Sequence, residues 1–241
     1  MSSLSGIMRR TIQTYGLITE GDRIAVGLSG GKDSMALLKM LARFQKFSPV
    51  TFHLEAITID LGFNNFDLTG AKDFCTSLQI PYTIVPTEIS KIVFDIRDEK
   101  NPCALCANMR RGALAETMNA LKLNRLALGH HADDALATLF LNMLYSGKLN
   151  TLEYSSFLSR SNIHVIRPFL DASELDIIGT INKEHIPVFK SPCPMDKHTK
   201  REDINLFLKD IYKEIPHSRR NILTAMRNDK QCNLFINKRT L

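Results

Sequence analysis

Short apolar runs of strand length, each followed by a longer stretch with helical spacing, recur along this chain of 241 residues. The runs fall at residues 23–28, 54–59, 82–85, 126–129 and 164–167, with 187–189 as a further candidate. Helical patterns occupy 34–44, 68–78, 106–121, 133–145, 172–183 and 202–215. Continuous apolar runs of this length are what strands covered on both faces require. Their alternation with helices predicts right-handed βαβ units and an α/β fold with a Rossmann-like, doubly wound parallel sheet. In such sheets ligands bind at the carboxyl ends of the strands, where the strand order reverses. In the fourth helical pattern Leu136, Leu139, Phe140, Met143 and Leu144 repeat at i, i+3, i+4, i+7 and i+8, which predicts one buried face.

Hydrophobic residues make up 44% of the chain, enough to fill a substantial core. No repeat, low-complexity tract or Gly/Ser linker marks a second independent domain. The expected division is a main domain over 1–195 and a basic helical extension over 196–241. That extension carries 11 Lys and Arg against 6 Asp and Glu, most of the +6 net charge of the whole chain. A basic surplus of this kind suits a polyanion such as RNA, and equally a solvated surface helix. Lys197, Lys200, Arg201, Arg219, Arg220 and Arg227 are its candidate backbone contacts. No stretch approaches the roughly 18 to 20 apolar residues of a membrane helix, and the opening MSSLSGIMRR lacks a signal-peptide core. A cytoplasmic protein without a membrane partner is the expectation.

The run ending at Leu28 leads into Ser29-Gly30-Gly31-Lys32-Asp33-Ser34 and then a helix. Strand, glycine loop, helix is the order that aims backbone N–H groups and a helix N-terminus at an anion. Ser29 and Ser34 add hydroxyls. The glycines let the backbone approach phosphate oxygens and adopt positive φ. The loop is not a Walker A motif: Val26 stands where its first glycine belongs, and Asp33 replaces its Ser/Thr. The spacing of Gly27, Gly30 and Gly31 also fails the G-x-G-x-x-G pattern. A tight turn capped by Asp33 or Ser34 explains neither the paired glycines nor the lysine.

Gly129-His130-His131-Ala132-Asp133-Asp134 follows the fourth run and opens a helix, so its polar groups fall at the same sheet edge. His130 is expected to face the Asp133/Asp134 pair. Imidazole and carboxylates on one turn fit a metal site, or Mg²⁺ shielding a triphosphate, or simply an acidic first turn favoured by the helix dipole.

Five cysteines, an odd number, argue against a secreted disulfide framework. Cys103 and Cys106 form a C-x-x-C placed ahead of a helix, where the helix terminus, Arg110 and Arg111 are expected to depress the thiol pKa values. Cys193 follows the last candidate strand. Three thiolates can hold three irons of a [4Fe–4S] cluster and leave the fourth open. A zinc site completed by His198, or a redox pair, competes with that reading. Cys75 reads as a core residue, and Cys232 lies in the tail.

The segment SGGKDS resembles the signature of the PP-loop ATP pyrophosphatases, of the adenine nucleotide alpha hydrolase-like type, and LGHHADD is similar to their second nucleotide element. With "CALCANMRRGAL", "HVIRPF" and the later Cys193, the chain resembles the TtcA-like group of tRNA 2-thiocytidine synthetases. No zinc-binding C-x-x-C pair stands near the N-terminus, which separates it from the TtuA thiouridine enzymes. The resemblance implies binding of ATP by Leu28, Ser29, Gly30, Gly31, Lys32, Asp33, Ser34, Ile59, Asp60, Gly129, His130 and Asp134. It implies Mg²⁺ held by Asp33, Asp133 or Asp134, charge stabilisation by Lys32, and Arg110 against the activated substrate. It further implies metal ligation by Cys103, Cys106 and Cys193. The implied reaction adenylates a pyrimidine C2 carbonyl of tRNA, cytidine in the anticodon loop, and replaces that oxygen with sulfur delivered through a [4Fe–4S] cluster. The sulfur donor is a cysteine desulfurase or free sulfide, and a homodimer is a candidate assembly. A ligase of the lysidine synthase kind, with a structural zinc site, is the alternative.

Overall fold

A computed structural model describes residues 3–63, 67–97, 102–159, 161–189, 192–195 and 199–228. Cys232, Lys197 and His198, singled out above, lie outside them. Among the described residues the strands are β1 (Arg23–Gly27), β2 (His53–Asp60), β3 (Tyr82–Pro86), β4 (Arg125–Ala127), β5 (Ser155–Leu158) and β6 (Ile163–Ile166). The helices are α1 (Leu4–Tyr15), α2 (Lys32–Gln45), α3 (Thr69–Ser77), α4 (Pro102–Ala120), α5 (Ala132–Ser146), α6 (Glu174–Glu184), α7 (Lys200–Glu214) and α8 (Ser218–Arg227), with a π-helical segment at Lys91–Ile96.

The strand order is β3-β2-β1-β4-β6-β5, parallel throughout except for the β5/β6 pair. The chain builds outward from β1 through β2 to β3, then crosses to β4 on the other side of β1. The carboxyl ends of β1 and β4 therefore meet at the point where the order reverses.

β1 and β2 are buried on both faces, and their successive side chains alternate between two cores. Ile24, Val26, Leu54 and Ala56 join one core with Met8 of α1, Leu37 and Leu41 of α2, Phe74 of α3 and Ile177 of α6. Ala25, Ile57 and Ile59 face the other way, into a second core with Val93 of the π-helical segment and Leu114 and Met118 of α4. This is the expected doubly wound arrangement.

The chain separates into two compact units. The first comprises the described residues of Met1–Ala135 and Leu152–His198 and contains the sheet. The second comprises Leu136–Thr151 and the described residues of Thr199–Leu241, with Leu136, Phe140, Ile204, Leu208 and Ile222 in its core.

Several expectations need correction. The run at 187–189 forms no strand; Pro187 has no N–H for a ladder, and a single bond from Phe189 N to Gly30 O (2.9 Å) stands in its place. On α5, Leu136 is buried but Met143 and Leu144 are exposed, because the apolar stripe outruns its partners in the second unit. The C-x-x-C lies within α4 rather than ahead of it, since Pro102 starts the helix. Among the described residues no helix is long and apolar enough to cross a membrane.

Candidate active site

The glycine loop joins the end of β1 to α2. Gly30 has φ +81°, the left-handed region that glycine enters at no steric cost, and Gly31 is the residue before the helix. Ser34 is buried and pins the turn: its Oγ donates to Gly31 O (3.0 Å) and accepts from Ser29 N (3.2 Å). Ser34 thus shapes the loop together with Ser29, an exposed residue whose Oγ lies 3.2 Å from Ser34 Oγ and accepts from Gly31 N (3.4 Å). No side chain caps the N-terminus of α2, nor those of α3 and α8, whereas Ser3, Ser173 and Thr199 cap α1, α6 and α7. The first amide groups of α2 are the kind of donors an anion satisfies.

Phe189 walls one side of this loop. A Cβ on Gly30 would stand 3.2 Å from the Phe189 Cβ, and one on Gly70 would stand 2.5 Å from its ring. The loop after β4 walls another. A Cβ on Gly129 would come within 2.8 Å of the Asp33 backbone carbon, so only glycine lets the two loops touch. Leu28 is buried, with its N–H on Ile57 O and its carbonyl accepting from Thr58 Oγ1. Ile59 is buried in the second core, and Asp60, at the carboxyl end of β2, accepts from Gly62 N (2.9 Å).

Four carboxylates, a lysine and a histidine share this edge. Lys32 Nζ lies 3.0 Å from Asp33 and 3.0 Å from Glu174, the first residue of α6. His131 is the histidine among the carboxylates, 3.7 Å from Asp33, 3.6 Å from Asp133 and 3.5 Å from Asp134. His130 was expected to face the Asp133/Asp134 pair, and the ion pairs with both of these acids are made by its neighbour His131. Residues 129–131 precede the helix, so helical periodicity does not govern which imidazole turns toward the acids. Asp134 accepts from His131 N (3.0 Å) and Asp133 from Glu174 N (2.8 Å), tying α5 to α6.

Burial alone would lower the His131 pKa, but Asp133, Asp134 and Asp33 outweigh it and raise it above the usual imidazole value. Burial pushes Asp33 up, and Asp134 adds to this against the opposing pull of Lys32 and His131. Lys32 is held above the usual ammonium value, because Asp33 and Glu174 overcome its own burial.

Cys103 is exposed in the first turn of α4, with Cys106 one turn on and partly buried. None of the four described cysteines is in a disulfide. The Cys106 thiol is pushed up by burial, with Cys193 and Cys103 adding to the rise and Arg110 opposing it. The expected depression is therefore corrected: burial outweighs the arginine, and Arg111 is turned to Ala107 O and Asn108 Oδ1. Cys193 and Cys103 both lie within electrostatic reach of Cys106. Among the described residues no group of three or more His, Cys, Asp or Glu is arranged to hold a metal ion. The donor set nonetheless fits a thiophilic group: three thiols within electrostatic reach, one arginine, and protons that a metal would displace. Cys75 is inert in the core, its pKa raised by burial to about 11.

In the second unit, Arg220 and Arg227 are exposed on α8, Arg201 donates to Thr138 Oγ1 (3.2 Å), and Lys200 lies 3.7 Å from Asp203.

Glu174, His131 and Phe189 escaped sequence reasoning. The one available signal for Glu174 was Ser173-x-x-Asp176, a capping box that starts a helix beyond β6 and so puts residue 174 at the sheet's carboxyl edge.

A family profile described as a PP-loop domain matches residues 5–210. A tRNA-cytidine(32) 2-sulfurtransferase of Pelobacter propionicus is 37% identical over 222 residues, covering 91% of this chain and 82% of that protein. One of Neisseria gonorrhoeae is 36% identical over 220 residues, 90% of this chain and 69% of that protein. Among solved structures, the U34-tRNA thiolase NcsA from Methanococcus maripaludis with its [4Fe-4S] cluster aligns with a TM-score of 0.73 at 24% identity, over 92% of this chain and 76% of that one. At that identity the likeness is one of fold.

Proposed function

Since the chain belongs to the PP-loop family and, within it, to the tRNA-cytidine(32) 2-sulfurtransferases, we propose that it is an ATP-dependent tRNA sulfurtransferase that thiolates the C2 position of cytidine in the anticodon loop. One observation carries the step from nucleotide binding to sulfur chemistry. Cys103, Cys193 and Arg110 all lie within electrostatic reach of Cys106, in the unit that also holds the glycine loop.

A pyrimidine carbonyl oxygen is a poor leaving group and must be activated before sulfur can replace it. In this reading the C2 oxygen attacks the α-phosphorus of ATP, and the bond to the bridging oxygen breaks to release pyrophosphate. The loop from Ser29 to Ser34 and the uncapped α2 terminus hold the phosphates. Lys32 stabilises the charge that grows on pyrophosphate. Asp33, Asp133 and Asp134, which cluster around His131, would hold the Mg²⁺ that shields the phosphate charge. Sulfur then bonds to C2 and AMP departs with the original oxygen.

Cys103, Cys106 and Cys193 would hold the [4Fe–4S] cluster, which when bound supplies a Lewis-acidic iron that carries the incoming sulfur. Arg110, exposed one turn beyond Cys106, faces the polyanionic substrate. Arg219, Arg220 and Arg227 of α8 contribute salt-dependent backbone contacts without base specificity. Sulfur comes from a cysteine desulfurase or free sulfide.

The test is anaerobic incubation of the purified protein with ATP, Mg²⁺, sulfide and unmodified tRNA. Pyrophosphate release with formation of 2-thiocytidine, both lost in Lys32→Ala, is the expected result. Nucleotide binding without pyrophosphate release contradicts the proposal.

A further inference from the structure

Lys32 is where the proposed chemistry places its positive charge, and two carboxylates already compete for it. Both Asp33 oxygens lie 3.0 Å from its Nζ, and Glu174 lies 3.0 Å away on the other element. Any phosphate oxygen that reaches this ammonium must displace one of them.

The two acids differ in how easily they yield. Asp33 sits beside Lys32 in the first turn of α2, with His131 at 3.7 Å, and its side chain is 31% exposed. Glu174 has a longer stem and a side chain 43% exposed. Its backbone is anchored independently: its N–H donates to Asp133 Oδ2 (2.8 Å), and Ser173 and Asp176 complete the capping box of α6 without it. The helix terminus therefore does not depend on the Glu174 carboxylate beyond a small dipole contribution. The side chain can swing away from Lys32 by rotating its own bonds.

We propose that Glu174 is a positioning residue that competes with the pyrophosphate moiety for Lys32. Its carboxylate holds the ammonium at the mouth of the glycine loop, gives way to the triphosphate, and takes Lys32 back as pyrophosphate leaves. Glu174 thus weakens product binding and speeds release. This inference rests on the reading of the loop as a pyrophosphate holder.

The test is binding of inorganic pyrophosphate, with and without Mg²⁺, to the wild-type protein and to Glu174→Gln and Glu174→Ala. Removing a half-exposed competing charge is expected to tighten binding roughly fivefold in both variants. In turnover assays pyrophosphate should inhibit both variants at correspondingly lower concentration. A damaged fold could only weaken binding, so a gain in affinity separates this role from a structural one. Unchanged affinity overturns the inference while leaving the loop's function intact. Weaker binding confined to the Mg²⁺ experiment would make Glu174 a metal ligand and also overturn it. Failure of the wild-type protein to bind pyrophosphate overturns the loop reading and this inference together.

Discussion

Asp22 stands just before the amino end of β1, and Asp33 stands just beyond its carboxyl end. At the amino end, Asp22 accepts from Thr19 N (2.6 Å) and Asn124 Nδ2 (2.9 Å) and pairs with Arg125. Burial opposes its ionisation, but these partners prevail and hold its pKa below the usual carboxylate value. At the carboxyl end, burial raises the Asp33 pKa, with Asp134 adding to the rise, despite Lys32 and His131 beside it. The partners of one acid outweigh its burial; those of the other do not. The difference separates a group that holds the sheet together from one that waits for a cation.

The largest expected effect that tests this contrast is on turnover. Lys32→Ala should cut ATP-dependent pyrophosphate release by about 10²- to 10³-fold, as loss of one charge-stabilising donor does, with little change in thermal stability. Comparable loss from Asp22→Ala, once the folded fraction is matched, would break the distinction between the two ends.

Next in size, Asp22→Ala should cost about 3 kcal/mol in denaturant unfolding, because it leaves Arg125 without its carboxylate. The sign with pH follows from the lowered pKa. The Asp22 contribution is complete above the unfolded Asp value of about 3.9 and is lost as pH falls through the lower folded value. Acid titration of stability should therefore be flatter in the variant.

Gly129→Ala should cost about 1–3 kcal/mol and weaken ATP binding, since the added methyl meets the Asp33 backbone. Wild-type affinity in that variant would show that the two loops need not touch.

The smallest effect has the opposite sign. The raised pKa of Asp33 means that protonation stabilises the fold below about pH 3.9 and that this gain is lost as pH rises through the folded value. At neutral pH the anion is a net cost. Asp33→Asn should raise the melting temperature slightly, by less than about 1 kcal/mol in stability, while impairing activity. The gain should vanish in acid, which scanning calorimetry at two pH values can read.

Elements whose local pattern matches their environment were legible in the sequence. β1 and β2 read as apolar runs because both of their faces are covered, and the glycine loop read as a phosphate holder because few turns call for SGGKDS. β5, SSFL, is a short antiparallel edge strand with no continuous apolar run, and nothing local announces it. α1 was passed over although Ser3 caps it and Leu4, Met8 and Ile12 line its buried face. At the site, residue types and loop positions were readable, but side-chain direction was not. Which of two adjacent histidines meets the acids depends on the path of three non-helical residues. Glu174 carried no signal beyond the capping box, since an acid in the first turn is what any helix favours. The Cys106 pKa is raised because burial outweighs the arginine that the sequence places nearby.

The account's central claim is that the glycine loop and the three cysteines serve one reaction on tRNA. Mass spectrometry of tRNA nucleosides from cells lacking this chain, complemented with the wild-type protein, Lys32→Ala or Cys193→Ala, tests it most directly. The account predicts 2-thiocytidine restored by the wild-type protein and by neither variant. Unchanged 2-thiocytidine without the chain, or full restoration by Cys193→Ala, would contradict it.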